Sequence, residues 1–168
     1  MSSKGRTNRD SGLVDFQKIS SDDSRITSHE SPSAPVFTWP IRVYWEDTDA
    51  GGIVYYANYL KFMERARTEW LRALGVEQSV LQQEQGLIFV VVDTQVEFKK
   101  PARYGDALTV TARVDAATRA TFSFTQEVLR DAEVLVTGAL RAACLDANSY
   151  KPRGLPKMLT DRLDFGRA

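Results

Sequence analysis

The chain has 168 residues, 43% of them hydrophobic, and its 22 Lys and Arg residues balance 22 Asp and Glu residues. This size and composition predict one globular domain. The balanced charge argues against a protein whose overall field attracts nucleic acid or an acidic membrane surface. A single cysteine, Cys144, cannot form an intrachain disulfide and is expected to be a buried thiol in a reducing compartment. We therefore expect a cytoplasmic protein with no transmembrane segment.

The first 35 residues differ in composition from the rest of the chain. They are rich in Ser, Asp, Arg and Thr, contain few apolar residues and end in Ser-Pro-Ser-Ala-Pro at positions 31–35. Such a segment buries too little apolar surface to offset the entropy lost on ordering. We expect residues 1–35 to be a disordered tail without a signal peptide. The folded domain is expected over residues 36–150, followed by a C-terminal extension over residues 151–168.

The pattern of apolar residues predicts the secondary structure in chain order. A strand is expected over residues 37–46, then a long helix from Asn58 to Leu74, with Asn58 as its N-cap and Gly75 at its C-terminal end. A short second helix is expected over residues 77–85. Further strands are predicted at residues 87–98, 108–115, 122–128 and 134–145. This order predicts an α+β fold in which a five-stranded antiparallel sheet surrounds one long helix.

The leading candidate site is the Asp-Thr-Asp-Ala-Gly-Gly turn at residues 47–52, just before the long helix. A carboxylate beside the first N–H groups of a helix suits attack on a polarised carbonyl group. The only histidine, His29, lies in the tail, so carboxylates are the leading groups for acid–base or nucleophilic chemistry. Asp47 is expected to cap the turn. A purely structural role for Asp49, binding nearby backbone amides, also stays open at this point.

Metal and nucleotide sites are disfavoured. The turn begins like a calcium loop, but position 12 of such a loop would be Asn58 instead of a bidentate Glu. One Cys and one His cannot supply a zinc site. No glycine-rich phosphate loop follows a predicted strand, which argues against Rossmann and P-loop proteins. We therefore predict neither a metal nor a cofactor.

Two segments resemble a known family. Residues 47–71 read DTDAGGIVYYANYLKFMERARTEWL, and residues 98–106 read FKKPARYGD. Both resemble the hotdog-fold acyl-CoA thioesterases, most of all the bacterial Tol–Pal-associated branch, which is related to 4-hydroxybenzoyl-CoA thioesterase. The resemblance extends over about residues 38–150. It implies a hotdog fold, which agrees with the order of elements predicted from the apolar pattern.

The resemblance also implies roles for residues of the turn. Asp49 matches the catalytic carboxylate of the family, which acts as nucleophile or as general base toward water. The backbone N–H of Tyr56 matches the group that polarises the thioester carbonyl, and Gly51, Gly52 and Ile53 would shape the turn between them. Many members of the Tol–Pal branch carry His where this chain has Tyr56, whereas the 4-hydroxybenzoyl-CoA type carries Tyr. A mechanism assisted by histidine is therefore not expected.

The substrate implied by the resemblance is an acyl-CoA thioester, hydrolysed to the free acid and the CoA thiol, with acyl carrier protein as another carrier. Family sites lie between subunits, so a homodimer or homotetramer is expected. Lys99, Lys100 and Arg103 are candidates for contacts with CoA phosphates, and a solvated basic loop is an equal alternative. The charged helix residues are expected to form surface pairs or subunit contacts: Glu64, Arg65, Arg67 and Glu69.

Two other functions have to be compared with thioester hydrolysis. An enoyl-thioester hydratase on the same fold uses a histidine, which the predicted domain lacks. A non-catalytic module that binds acyl thioesters, or a partner of the cell-envelope machinery, is the stronger alternative. Asp49 distinguishes a thioester hydrolase from this binding module, because a protein that only binds has no need of a carboxylate at an oxyanion site.

Overall fold

A computed structural model describes residues 36–163, so the predicted N-terminal tail lies outside the described part of the chain. The strands are β1 (Phe37–Arg42), β2 (Leu87–Phe98), β3 (Ala107–Ala117), β4 (Thr121–Arg130) and β5 (Glu133–Asp146). The helices are α1 (Tyr56–Ala73), α2 (Gln78–Gln85) and α3 (Lys157–Thr160). The strands form one sheet in the order β1-β3-β4-β5-β2, and all neighbouring strands are antiparallel. The predicted α+β class and five-stranded antiparallel sheet are confirmed. The single long helix is confirmed only in part, because two shorter helices accompany it.

Helix α1 packs against β1, β3 and β4 and covers the core. The side chains that β3 turns toward the core alternate with less buried ones, as expected for a strand with one covered face: Leu108, Val110, Ala112 and Val114. In β5, Gly138 gives the helix room, because a Cβ atom there would lie 2.9 Å from the Sδ atom of Met63. The apolar face of α1 and the covered face of the sheet therefore form the core of the domain.

The ends of two elements differ from the prediction, and both differences concern the candidate site. Helix α1 begins at Tyr56, so Asn58 lies inside its first turn and is not the N-cap. Strand β1 ends at Arg42 instead of residue 46, because a short 3₁₀ turn, Trp45–Asp47, follows it. The other end of α1 is as predicted: Gly75 has a φ of +76° and its N–H donates to the carbonyl of Arg72 at 2.8 Å.

The segment after β5, which includes part of the expected C-terminal extension, packs against the domain. Leu155 and Leu159 are 8% and 0% exposed and belong to the same buried cluster as Trp70 and Phe124. Within residues 36–163, no helix is both long and apolar enough to cross a bilayer.

Candidate functional site

A tight turn presents Asp49 at the surface of the domain. The N–H of Asp49 donates to the carbonyl of Ile53 at 2.9 Å, and the N–H of Gly52 donates back to the carbonyl of Asp49 at 3.0 Å. Gly52 has a φ of +72°, a conformation that only glycine adopts without strain. Thr48 and Val54 pair at the base of the turn. The predicted turn of Gly51, Gly52 and Ile53 is therefore present in the structure.

The carboxylate of Asp49 is exposed and held in one orientation. Its Oδ1 atom accepts the N–H of Gly51 at 2.7 Å. A Cβ atom at Gly51 would lie 3.0 Å from that same oxygen, so a side chain there would require the carboxylate or the backbone to shift. The second oxygen of Asp49 has no hydrogen-bond partner within residues 36–163 and is free to act on an incoming group.

Tyr56 is the first residue of the 18-residue helix α1, and its side chain is 59% exposed. A helix leaves its first four N–H groups without intrahelical acceptors, and its dipole places partial positive charge at that end. The aromatic ring lies against Phe98 and Tyr55, with centroid distances of 6.3 and 4.7 Å. A hydrogen bond to Tyr56 raises the pKa of the Tyr55 hydroxyl. The structure therefore places Asp49 and the backbone N–H of Tyr56 at either end of one short segment.

Asp47 ties that segment to its surroundings. Its side chain is buried, and its Oδ2 atom accepts the N–H of Tyr44 at 2.9 Å, as expected for a turn-capping residue. Its carbonyl oxygen accepts two hydrogen bonds, from the N–H of Tyr55 and from Nδ2 of Asn58, each 2.9 Å long. Sequence reasoning assigned Asn58 to the helix cap and so missed this contact.

The predicted basic loop lies directly against the turn. Arg103 pairs through its backbone with Ile53, and the N–H of Val54 donates to the carbonyl of Ala102 at 2.9 Å. The hydroxyl of Tyr59, on α1, accepts the N–H of Ala102 at 2.8 Å. Burial raises the pKa of this hydroxyl, which favours its neutral form. Loop, turn and helix start are thus held together by hydrogen bonds.

The two lysines of the loop are already paired. Lys99 lies 3.5 Å from Glu97, and Lys100 forms a hydrogen-bonded ion pair with Glu133. All four side chains are substantially exposed, so these pairs contribute little to stability and can exchange for another anion.

A buried polar contact that the sequence analysis missed lies farther along α1. Nη1 of Arg67 donates to Oε1 of Gln126 at 2.7 Å, and Nε2 of Gln126 donates to the carbonyls of Met63 and Thr111. Burial lowers the pKa of Arg67 to about 10. The spacing of residues in α1 contained a signal for the burial of Arg67, because residue 67 follows the buried Met63 by one helical turn.

Arg67 lines two cavities, of about 100 Å³ and about 210 Å³. The larger one is mainly apolar, and its lining includes Leu60, Met63, Val91 and Leu140. Neither cavity is lined by Asp49 or Tyr56.

The chain matches the model of a known protein family. The model of the thioesterase-like superfamily matches residues 43–163, which include the turn, the basic loop and strands β2 to β5 but not β1. The chain belongs to the thioesterase-like superfamily. The predicted family is confirmed at the level of this superfamily. The predicted enzyme class, a thioester hydrolase, is also confirmed.

Individual thioesterases resemble this chain over most of their length. A protein of Haemophilus influenzae named acyl-CoA thioesterase YbgC is 44% identical over 121 residues, covering 72% of this chain and 89% of that protein. The crystal structure of a probable thioesterase from Bartonella henselae has a TM-score of 0.70 and 36% identity, covering 73% of this chain and all of that one. A 1,4-dihydroxy-2-naphthoyl-CoA thioesterase from Synechocystis has a TM-score of 0.72 at 25% identity, with coverage of 78% and 98%.

Proposed function

We propose that this thioesterase hydrolyses an acyl-CoA thioester to the free acid and the CoA thiol, with Asp49 as nucleophile or general base. The backbone N–H of Tyr56 would bind the carbonyl oxygen. The observation that carries the proposal is the turn at residues 49–53, which connects an exposed, oriented carboxylate to the start of an 18-residue helix. The names of the similar proteins support acyl-CoA as the substrate.

Both possible roles of Asp49, general base and nucleophile, rely on the same neighbouring groups. As a base, Asp49 takes a proton from water, the water oxygen bonds to the carbonyl carbon, and the C–S bond breaks with its electron pair on sulfur. The proton then passes from Asp49 to the thiolate, which forms the thiol and restores the carboxylate. As a nucleophile, a carboxylate oxygen bonds to the carbonyl carbon and the thiolate leaves, after which water hydrolyses the anhydride and restores the carboxylate. In each route negative charge develops on the carbonyl oxygen. The helix N-terminus at Tyr56 would stabilise this charge.

A second copy of the chain would complete the site. Asp49 lines neither of the two cavities that Arg67 lines, which supports an acyl site that a neighbouring subunit helps to form. Strand β2 is at one edge of the sheet and spans 12 residues without a proline, whereas the opposite edge strand, β1, is 6 residues long and contains Pro40. We assign the interface of a homodimer, or of a dimer within a homotetramer, to the β2 edge.

The basic loop would bind the nucleotide end of CoA. Arg103 pairs through its backbone with Ile53 of the turn, and Lys99 and Lys100 belong to the same loop. The charge of these three residues complements the CoA phosphates. The phosphate of an acyl carrier protein's prosthetic group has the same chemistry. The motif at residues 47–71 supports the Tol–Pal-associated branch, and Tyr56 supports a relation to 4-hydroxybenzoyl-CoA thioesterase. A cytoplasmic location fits the reduced Cys144 and the CoA substrate.

The decisive experiment measures thiol release from short, long and aromatic acyl-CoA esters. Asp49→Asn keeps the shape of the side chain and removes the base, so we expect the rate to fall by about 100-fold or more. Glu46→Gln is the matched control, since Glu46 is an exposed carboxylate near the same turn, and it should leave the rate unchanged. Full turnover in Asp49→Asn would refute the assignment of the acid. A folded wild type inactive on every ester would favour the binding module instead.

A further inference from the structure

The contact between Asn58 and Asp47 sits at the centre of the proposed site. Nδ2 of Asn58 donates to the carbonyl oxygen of Asp47 at 2.9 Å, and both residues are 6% exposed. Asn58 lies two positions after Tyr56, and Asp47 lies two positions before Asp49. The hydrogen bond therefore connects the helix turn that bears the N–H group with the segment that bears the acid.

Other hydrogen bonds also hold the segment at residues 47–49 near the start of α1, so the contact between Asn58 and Asp47 is one constraint among several. The carbonyl of Asp47 also accepts the N–H of Tyr55, and its carboxylate accepts the N–H of Tyr44. Loss of the Asn58 donor leaves the carbonyl with one partner, so the turn and the helix should still form. The angle between the 47–49 segment and the first turn of α1 would then depend on the Tyr55 hydrogen bond and on the bonds that both segments make with the loop at residues 99–106. The range of this angle would therefore increase.

We propose that Asn58 is a positioning residue that fixes the carboxylate of Asp49 relative to the backbone N–H of Tyr56. This inference rests on the proposed function. Asn58 itself is buried and bound to the main chain, so it acts on the reaction through Asp49 and the helix start. A displacement of about 1 Å between reacting groups can reduce a rate by about 100-fold, even where the fold is intact.

The test replaces Asn58 and measures kcat and KM separately. Asn58→Ala removes the donor, and Asn58→Asp keeps the shape but turns an acceptor toward the carbonyl. We expect kcat to fall about 10- to 100-fold with KM changed by less than about threefold, and Asn58→Asp to be the more damaging. Asn58→Ser, which retains a shorter donor, should recover part of kcat and serves as the second variant if Asn58→Ala does not fold.

Controls separate positioning from general stability. Thr121→Ala removes a similarly buried hydrogen-bonding side chain at the start of β4, away from the turn, and should lower Tm without lowering kcat. Combining Asn58→Ala with Asp49→Asn should give a smaller further loss than Asn58→Ala causes alone, because Asn58 acts in part through Asp49. A folded Asn58→Ala protein with kcat within about twofold of wild type would overturn the inference. Activity retained in Asp49→Asn alone would instead overturn the proposed function.

Discussion

At the scale of single residues, the proposed site brings the carboxylate of Asp49 close to the backbone of Gly51. The Oδ1 atom of Asp49 accepts the N–H of Gly51, and a Cβ atom on that glycine would stand 3.0 Å from the same oxygen. Few real Cβ contacts are that short, so either the carboxylate or the backbone must shift. Gly51 therefore affects the direction of the acid, and its role differs from that of Gly52, whose φ of +72° requires glycine for backbone reasons.

Gly51→Ala should reduce kcat by about 10-fold while unfolding free energy changes by less than about 1 kcal/mol, since the turn is exposed. Steady-state kinetics and thermal unfolding measure the two effects. Gly154→Ala is the matched control, because a Cβ atom there meets only the carbonyl of Arg119 at 3.9 Å, an ordinary contact. Equal kcat values in wild type and Gly51→Ala would show that Asp49 tolerates reorientation.

At the scale of elements, the site consists of one turn, one helix start and one loop. The loop at residues 99–106 contacts the turn through Ile53 and Val54, and contacts helix α1 through the hydroxyl of Tyr59. Main-chain hydrogen bonds therefore hold this loop, which carries the three cations, against the turn. Because those ion pairs are exposed, a phosphate group can replace the carboxylates at small cost.

Replacing Lys99, Lys100 and Arg103 together by Gln should raise KM for acyl-CoA about 10-fold and reduce its dependence on salt. The same variant should show an unchanged KM for an acyl thioester of pantetheine, which lacks the nucleotide and its phosphates. Kinetics at two ionic strengths measure both effects. An equal rise in KM for the two substrates would indicate damage to the turn instead of loss of a phosphate contact.

At the scale of the whole molecule, the chain has an edge that can pair with a second copy. Strand β2 exposes Val91 and Phe98 by 43% and 50%, and Val91 also lines both cavities along α1. An apolar edge strand of this length is a template for pairing with another chain. Pairing there would cover the cavities and bring a second subunit to the site.

Val91→Lys should shift the protein toward monomer and lower kcat/KM, because a lysine on an apolar edge disfavours pairing. Light scattering after size-exclusion chromatography measures the mass, and thiol release measures the activity. Val80→Lys is the matched control, since Val80 on α2 has the same exposed fraction of 43%. A wild-type monomer with full activity would contradict the shared site, and so would a monomeric Val91→Lys variant as active as wild type.

The sequence by itself determined the sheet, the long helix and the position of the Asp49 turn. These depend on local features: alternation of apolar residues along strands, helical spacing from Tyr59 to Trp70, and glycines where the chain reverses. Only the tertiary structure decided how the turn is supported. Asn58 binds Asp47 across 11 positions, and Arg67 binds Gln126 across 59. Such pairs are set by how elements pack, because a polar side chain in a core must bind whichever backbone or side-chain group the fold brings to it.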